Sequence, residues 1–141
     1  YGDHRDLHLS IRRQRQMCIR DRFKTPHTNN HLVIEGAGGL LVPLNDKDTI
    51  LNLIESLNCE VILVSRHYLG SINHTLMSIE ALQQRNITIK GILFNGKENK
   101  DTESIITKMS GVNIIGRINE LDDLNNSVIN SIAQNLKNKL I

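Results

Sequence analysis

Glu35 stands immediately before Gly36-Ala37-Gly38-Gly39, so one carboxylate heads a loop in which three of four residues are glycine. Glycines let backbone N–H groups come close to a phosphate or carboxylate, and a carboxylate binds hard cations. The pair has the makings of a metal and nucleotide site; the same letters also spell a tight turn with a solvated acid. A second candidate is Gly70-Ser71-Ile72-Asn73-His74, which opens a helical pattern. A helix N-terminus offers free N–H groups and partial positive charge to an anion, although Ser71 could instead cap its own helix. A third is Asn95-Gly96, where a side-chain amide offers both donor and acceptor, in a pair that also favours plain turns. His67 reads as a polar or structural histidine and Arg66 as a solvent-paired cation. His27 and His31 lack metal-ligand spacing.

Positioning these groups requires elements with the right periods. The run Leu32 to Leu44 around Glu35 is apolar and bounded by glycine, the pattern of a central strand buried on both faces. Asp48 to Leu57 has helical spacing, with Asp46 or Asp48 as its cap. Glu60 to Ser65 is a β-branched run that reads as a strand, followed by a turn at Leu69-Gly70-Ser71 and a helix from Ile72 to Arg85 that Asn86 ends. Ile87 to Gly96 is the next strand, Asp101 to Met109 a helix, and Val112 to Ile115 a short strand. A final helix opens at Asp122 or Asn126 and carries Val128, Ile129, Ile132, Leu136 and Leu140. Strands alternating with helices of these lengths imply an α/β fold, a parallel sheet covered by helices on both faces, with ligands beyond the carboxyl ends of the strands.

The 141 residues carry a net charge of +2 that is unevenly spread. Residues 1–22 hold six Arg and three Asp, whereas residues 23–141 hold 11 basic and 12 acidic side chains and lie at −1. The body offers no basic stripe for nucleic acid. No run reaches the roughly 20 apolar residues of a membrane span, so a cytoplasmic protein without membrane partners is expected. Cys18 and Cys59 form no CxxC pair and indicate neither a disulfide framework nor zinc. Residues 1–22 show no sustained period; they read as a disordered, non-native leader ahead of a single domain spanning 23–141.

Four strings in order resemble the dethiobiotin synthetases of biotin biosynthesis, which have a P-loop NTPase-like fold: Val33 to Gly39 with Val42-Pro43-Leu44, Val61 to Val64, Leu69 to Leu76, and Gly91 to Gly96. The resemblance implies an ATP- and Mg2+-dependent cyclo-ligase that closes the ureido ring of dethiobiotin from 7,8-diaminononanoate and CO2. It assigns Glu35 to Mg2+, and Glu35, Gly36, Ala37 and Gly38 to ATP. Asn95 and Gly96 fall at the adenine, and Asn119, Glu120 and Leu121 on a further base-contacting loop. Gly70, Ser71, Ile72, Asn73 and His74 would hold the substrate carboxylate across a homodimer. Members of that family begin with a GxxxxGK[ST] phosphate loop, which nothing before Glu35 matches. The chain is therefore expected to be an N-terminally truncated, C-terminal part, inactive alone and holding no catalytic residue of its own. Two other readings compete: a non-catalytic P-loop-fold interaction module and a relative of partition ATPases.

Overall fold

The computed structural model describes residues 25–140. Residues 1–22, and with them the leader expectation, lie outside the described residues. The chain divides into two compact units, Tyr1–Asn58 and Cys59–Ile141.

Within the first unit the expected central strand around Glu35 is not formed. Residues 31–38 belong to no strand, and Val33 is 89% exposed. Apolar letters alone do not make a strand. The ladder bonds of an extended segment need a neighbour, and none among the described residues pairs with this one. Order begins where the chain bonds back on itself. Pro43 and Thr49 form an antiparallel bridge, Ile50 N–H donates to Val42 O (3.0 Å) and Leu51 N–H to Leu40 O (2.9 Å). These bonds lash the loop to α1 (Ile50–Leu57). Its N-cap is Thr49 rather than Asp46 or Asp48, and Thr49 N–H donates to Asn52 Oδ1 at 2.8 Å. Asp48 is spent on the preceding turn, where Asn45 Oδ1 accepts from the N–H groups of Lys47 and Asp48.

The second unit runs β1 (Val61–Arg66), α2 (Ser71–Gln84), β2 (Ile89–Asn95), α3 (Lys100–Ser110), β3 (Ile114–Ile118) and α4 (Asn126–Leu140). Its strands form a parallel sheet in the order β1-β2-β3. Ile79 of α2 and Ile106 of α3 pack with Ile92, Phe94 and Val112 into the core on one face. Leu93 points to the other face, because side chains alternate along a strand, and there Gly116 lies against both Leu93 and Leu136 of α4. Helices thus lie on both faces. A buried hydrogen bond between Ser65 Oγ and Thr75 Oγ1 (2.8 Å) fastens the end of β1 to α2.

β3 starts at Ile114, two residues later than the apolar run proposes. Gly111 closes α3 in the left-handed conformation (φ 70°), and Val112 N–H bonds Ser110 Oγ at 3.1 Å. Val112 is therefore buried as the apolar residue of a helix cap before the ladder begins. Asn86, at φ 55°, follows the last turn of α2 as its type foretells.

Gly91 is where the sheet tolerates no side chain. A Cβ there would lie 2.6 Å from Ile115 Cγ1 and 2.8 Å from the Asn113 carbonyl oxygen, and a backbone atom cannot rotate away. Gly91→Ala is expected to cost about 1–3 kcal/mol, the usual penalty of overpacking. An unchanged urea midpoint in the variant would show that this close approach is not a constraint.

Candidate functional site

All three strands are parallel, so the ends of β1, β2 and β3 and the loops that follow them share one edge of the sheet. Four features meet there. Asn95 is exposed at the last position of β2, and Gly96, buried at φ 98°, turns the chain. Gly96 N–H donates to Ile118 O at 2.8 Å, so the turn is fixed to the end of β3. Arg66 reaches Glu120 at 3.6 Å in an exposed pair, the solvent-side role expected for that arginine. Asn119 and Leu121 flank Glu120 on the same exposed loop.

Beneath this edge lies a cluster that the sequence reading missed. Glu103, in the first turn of α3, has a side chain only 9% exposed. Its Oε1 accepts from His67 Nε2 (2.9 Å), from the backbone N–H of Asn99 (3.0 Å) and from Arg117 Nη2. Arg117 also donates through Nη1 to the carbonyl of Gly96 at 3.2 Å. The buried Phe94 ring stacks with His67 at 5.2 Å between centroids and lies 5.8 Å from the Arg117 guanidinium. His67 Nδ1 is buried without a partner, so a proton there would go unsatisfied, and the tautomer that donates from Nε2 is the one that fits. Burial pushes the Glu103 carboxyl up. The hydrogen bonds from Arg117, Asn99 N–H and His67, with the Arg117 charge, outweigh that and hold it below the ordinary carboxylate range.

A signal for Glu103 was present in the sequence. It sits three residues before Ile106 on the apolar side of α3, where a carboxylate must have buried partners. Its partners lie 36 and 14 residues away, on two different strand ends, which no local spacing reveals.

The second candidate segment opens α2. Its N-cap is Gly70, at φ 96°, not Ser71, and Gly70 has no side chain to bond the first-turn N–H groups. Ser71 is the first helical residue and is buried. His74 Nδ1 meets the Tyr68 hydroxyl at 2.7 Å, while Ile72 and Asn73 are exposed along the first turn. Leu69, one residue before the cap, is fully exposed.

In the first unit, Glu35, Gly36, Ala37 and Gly38 are all exposed. Gly38 takes φ 87°, and a Cβ on it would come 2.9 Å from Val42 Cγ2, so the turn specifically needs glycine there. Among the described residues no group of three or more His, Cys, Asp or Glu side chains gathers into a metal cage. Gly91 to Lys97 has G-x-x-x-x-G-K spacing, but Ile89–Asn95 is strand and position 98 is Glu rather than Ser or Thr, so it is no phosphate loop.

A parallel α/β sheet with ligand-competent loops at one edge is the architecture of P-loop-type nucleotide proteins, and a family model described as an AAA domain matches residues 6–128. The chain belongs to that family. Its curated homologues are ATP-dependent dethiobiotin synthetases. The enzyme of Christiangramia forsetii is 51% identical over 118 residues, covering 84% of this chain and 56% of the relative. That of Cytophaga hutchinsonii is 43% identical over 130 residues, covering 92% and 63%, and that of Brucella ovis 45% over 117, covering 83% and 55%. The chain thus spans a little over half the length of the relatives it matches.

The Glu103 cluster yields a pH prediction. A carboxyl whose folded pKa lies below its unfolded value stabilises the fold fully above the unfolded value, near 4.3 for Glu, and this contribution fades as pH falls through the folded one. Stability measured by urea should therefore drop below about pH 4 with a slope that Glu103→Gln removes. At neutral pH the same substitution should cost about 3 kcal/mol, because Arg117 loses its buried partner. Equal acid slopes in both proteins would contradict this.

Proposed function

We propose that this chain supplies the base-reading and substrate-tail sites of an ATP- and Mg2+-dependent cyclo-ligase. The reaction closes the ureido ring of dethiobiotin from 7,8-diaminononanoate and CO2. The observation that carries the reading is the join of Asn95-Gly96 to the end of β3 at the carboxyl edge of a parallel sheet, in a chain 43–51% identical to dethiobiotin synthetases.

The residues have chemistry suited to each task. Asn95 offers a donor and an acceptor to the adenine edge, and Gly96 with Asn119, Glu120 and Leu121 forms the walls beside it. The backbone of Gly36, Ala37 and Gly38 approaches the phosphates, with Gly38 in the one positive-φ conformation of that loop. Glu35 is an exposed hard-oxygen donor, the kind Mg2+ takes singly while keeping water and phosphate oxygens as its other ligands, so it fits the ion. An ion held by Glu35 would supply charge neutralisation to the phosphates in a phosphoryl transfer. The first-turn N–H groups of Ile72 and Asn73, with Gly70, Ser71 and His74 around them, receive the substrate carboxylate.

A homodimer belongs to this reading. Tyr68, Leu69, Ile72 and Met77 are exposed beside the tail site, an apolar surface that a second copy would cover. A cytoplasmic setting belongs to the same reading.

Calorimetric titration with MgATP tests the assignment. Asn95→Ala should weaken binding about tenfold, the worth of a lost polar contact to the base, and Glu35→Gln should remove the Mg2+-dependence of binding. Unaltered affinity and unaltered Mg2+-dependence would sink the proposal. Separately, Leu69→Asp should convert a dimer to a monomer in sedimentation analysis; a variant that stays dimeric excludes this face as the interface.

A further inference from the structure

Asn95 poses a problem of selectivity that its chemistry cannot solve. A side-chain amide presents a donor and an acceptor, and rotating it by half a turn exchanges them. Adenine offers an amino donor beside a ring acceptor, guanine a carbonyl acceptor beside a ring donor, and one amide serves either by flipping. Gly96 adds no side chain to break the tie. Discrimination must come from groups that cannot flip, which at this edge are the backbone of the 95–99 loop and whatever holds it.

That loop is held at three points. Gly96 N–H bonds Ile118 O (2.8 Å), Gly96 O accepts from Arg117 Nη1 (3.2 Å), and Asn99 N–H bonds Glu103 Oε1 (3.0 Å). The second and third both pass through the Glu103–Arg117 pair, and His67 braces the carboxylate from the end of β1. Asn99 Oδ1 in turn accepts from Thr102 N–H at 3.1 Å, so the far end of the loop is locked to the first turn of α3. The side chains of His67, Glu103 and Arg117 are only 15%, 9% and 17% exposed, so the cluster's route to a bound base is through the loop.

Resting on the proposed function above, we propose that Glu103, with Arg117 and His67, forms a positioning unit that sets the preference for an adenine over a guanine nucleotide. It does so by fixing the carbonyl of Gly96 and the span to Asn99, so that Asn95 meets a rigid frame complementary to one base only. When the carboxylate is removed, Arg117 loses its anchor, the Gly96 carbonyl is released, and the amide can rotate to suit either base.

Titrating the full chain with MgATP, MgGTP and inorganic triphosphate, while following backbone amide NMR signals, tests this. The wild-type chain should favour ATP, with the Asn95 and Gly96 signals shifting. Glu103→Gln should narrow the ATP:GTP affinity ratio about tenfold and leave triphosphate affinity unchanged, since the phosphates are held elsewhere. Arg117→Lys keeps the buried charge but cannot span Glu103 and Gly96 with a fork, so it should narrow the ratio likewise and carries the test if Glu103→Gln does not fold. A folded variant that retains the full ratio, or that loses all three ligands in parallel, overturns the positioning role while leaving the proposed function in place. Wild-type Asn95 and Gly96 signals that move with neither nucleotide overturn both.

Discussion

A carboxylate buried in a small α/β unit is tolerable only if its charge is answered at close range, and Glu103 is answered from three directions. That requirement organises the carboxyl edge of the sheet. To satisfy one oxygen, the end of β1 must deliver His67, the end of β3 must deliver Arg117, and the loop after β2 must turn its Asn99 amide inward. Apolar packing of Ile79, Ile92, Phe94, Ile106 and Val112 brings the helices onto the sheet, but hydrocarbon contacts are non-directional and tolerate small slides. The ionic cluster supplies direction. Phe94 joins the two systems, its ring lying in the core and stacked with His67.

Close approach is the second constraint. Gly91 lets the backbone of Asn113 and the side chain of Ile115 come within the space a methyl would fill, and Gly116 does the same for Leu136 of α4. The Gly91 contact holds β2 against β3 near their starts, the Gly116 contact seats α4 on β3, and the Gly96 to Ile118 bond holds β2 and β3 at their ends. The loops at the edge therefore emerge from strands fixed at both ends, the rigid platform that a binding surface on loops needs.

Much of the second unit was legible because its strands are short β-branched runs and its helices carry apolar residues at helical spacing, two periods that do not imitate each other. The family was legible from the pairing of the Glu35 glycine loop with Gly70 to His74. Other features were hidden for physical reasons. The apolar letters of Leu32 to Leu44 specify what a strand would bury but not whether a partner strand is at hand to complete its ladder. Val112 has the composition of a strand residue and the position of a helix-cap residue, and position won. Ser71 looked like a cap, yet Gly70 reaches the left-handed region that the turn demands more cheaply. The Glu103 cluster joins residues far apart in the chain, so only the fold could assemble it.

The same cluster has a bearing on how such a chain can drift through generations of copying. Positions 67, 103 and 117 are separate codons but a single electrostatic object: exchanging Glu103 strands His67 Nε2 and one arm of Arg117, whereas exchanging His67 leaves the Glu103–Arg117 pair in place. Loss of the carboxylate is the change least easily borne alone, and only a hydrocarbon set of equal volume replacing all three side chains together would spare the fold that cost.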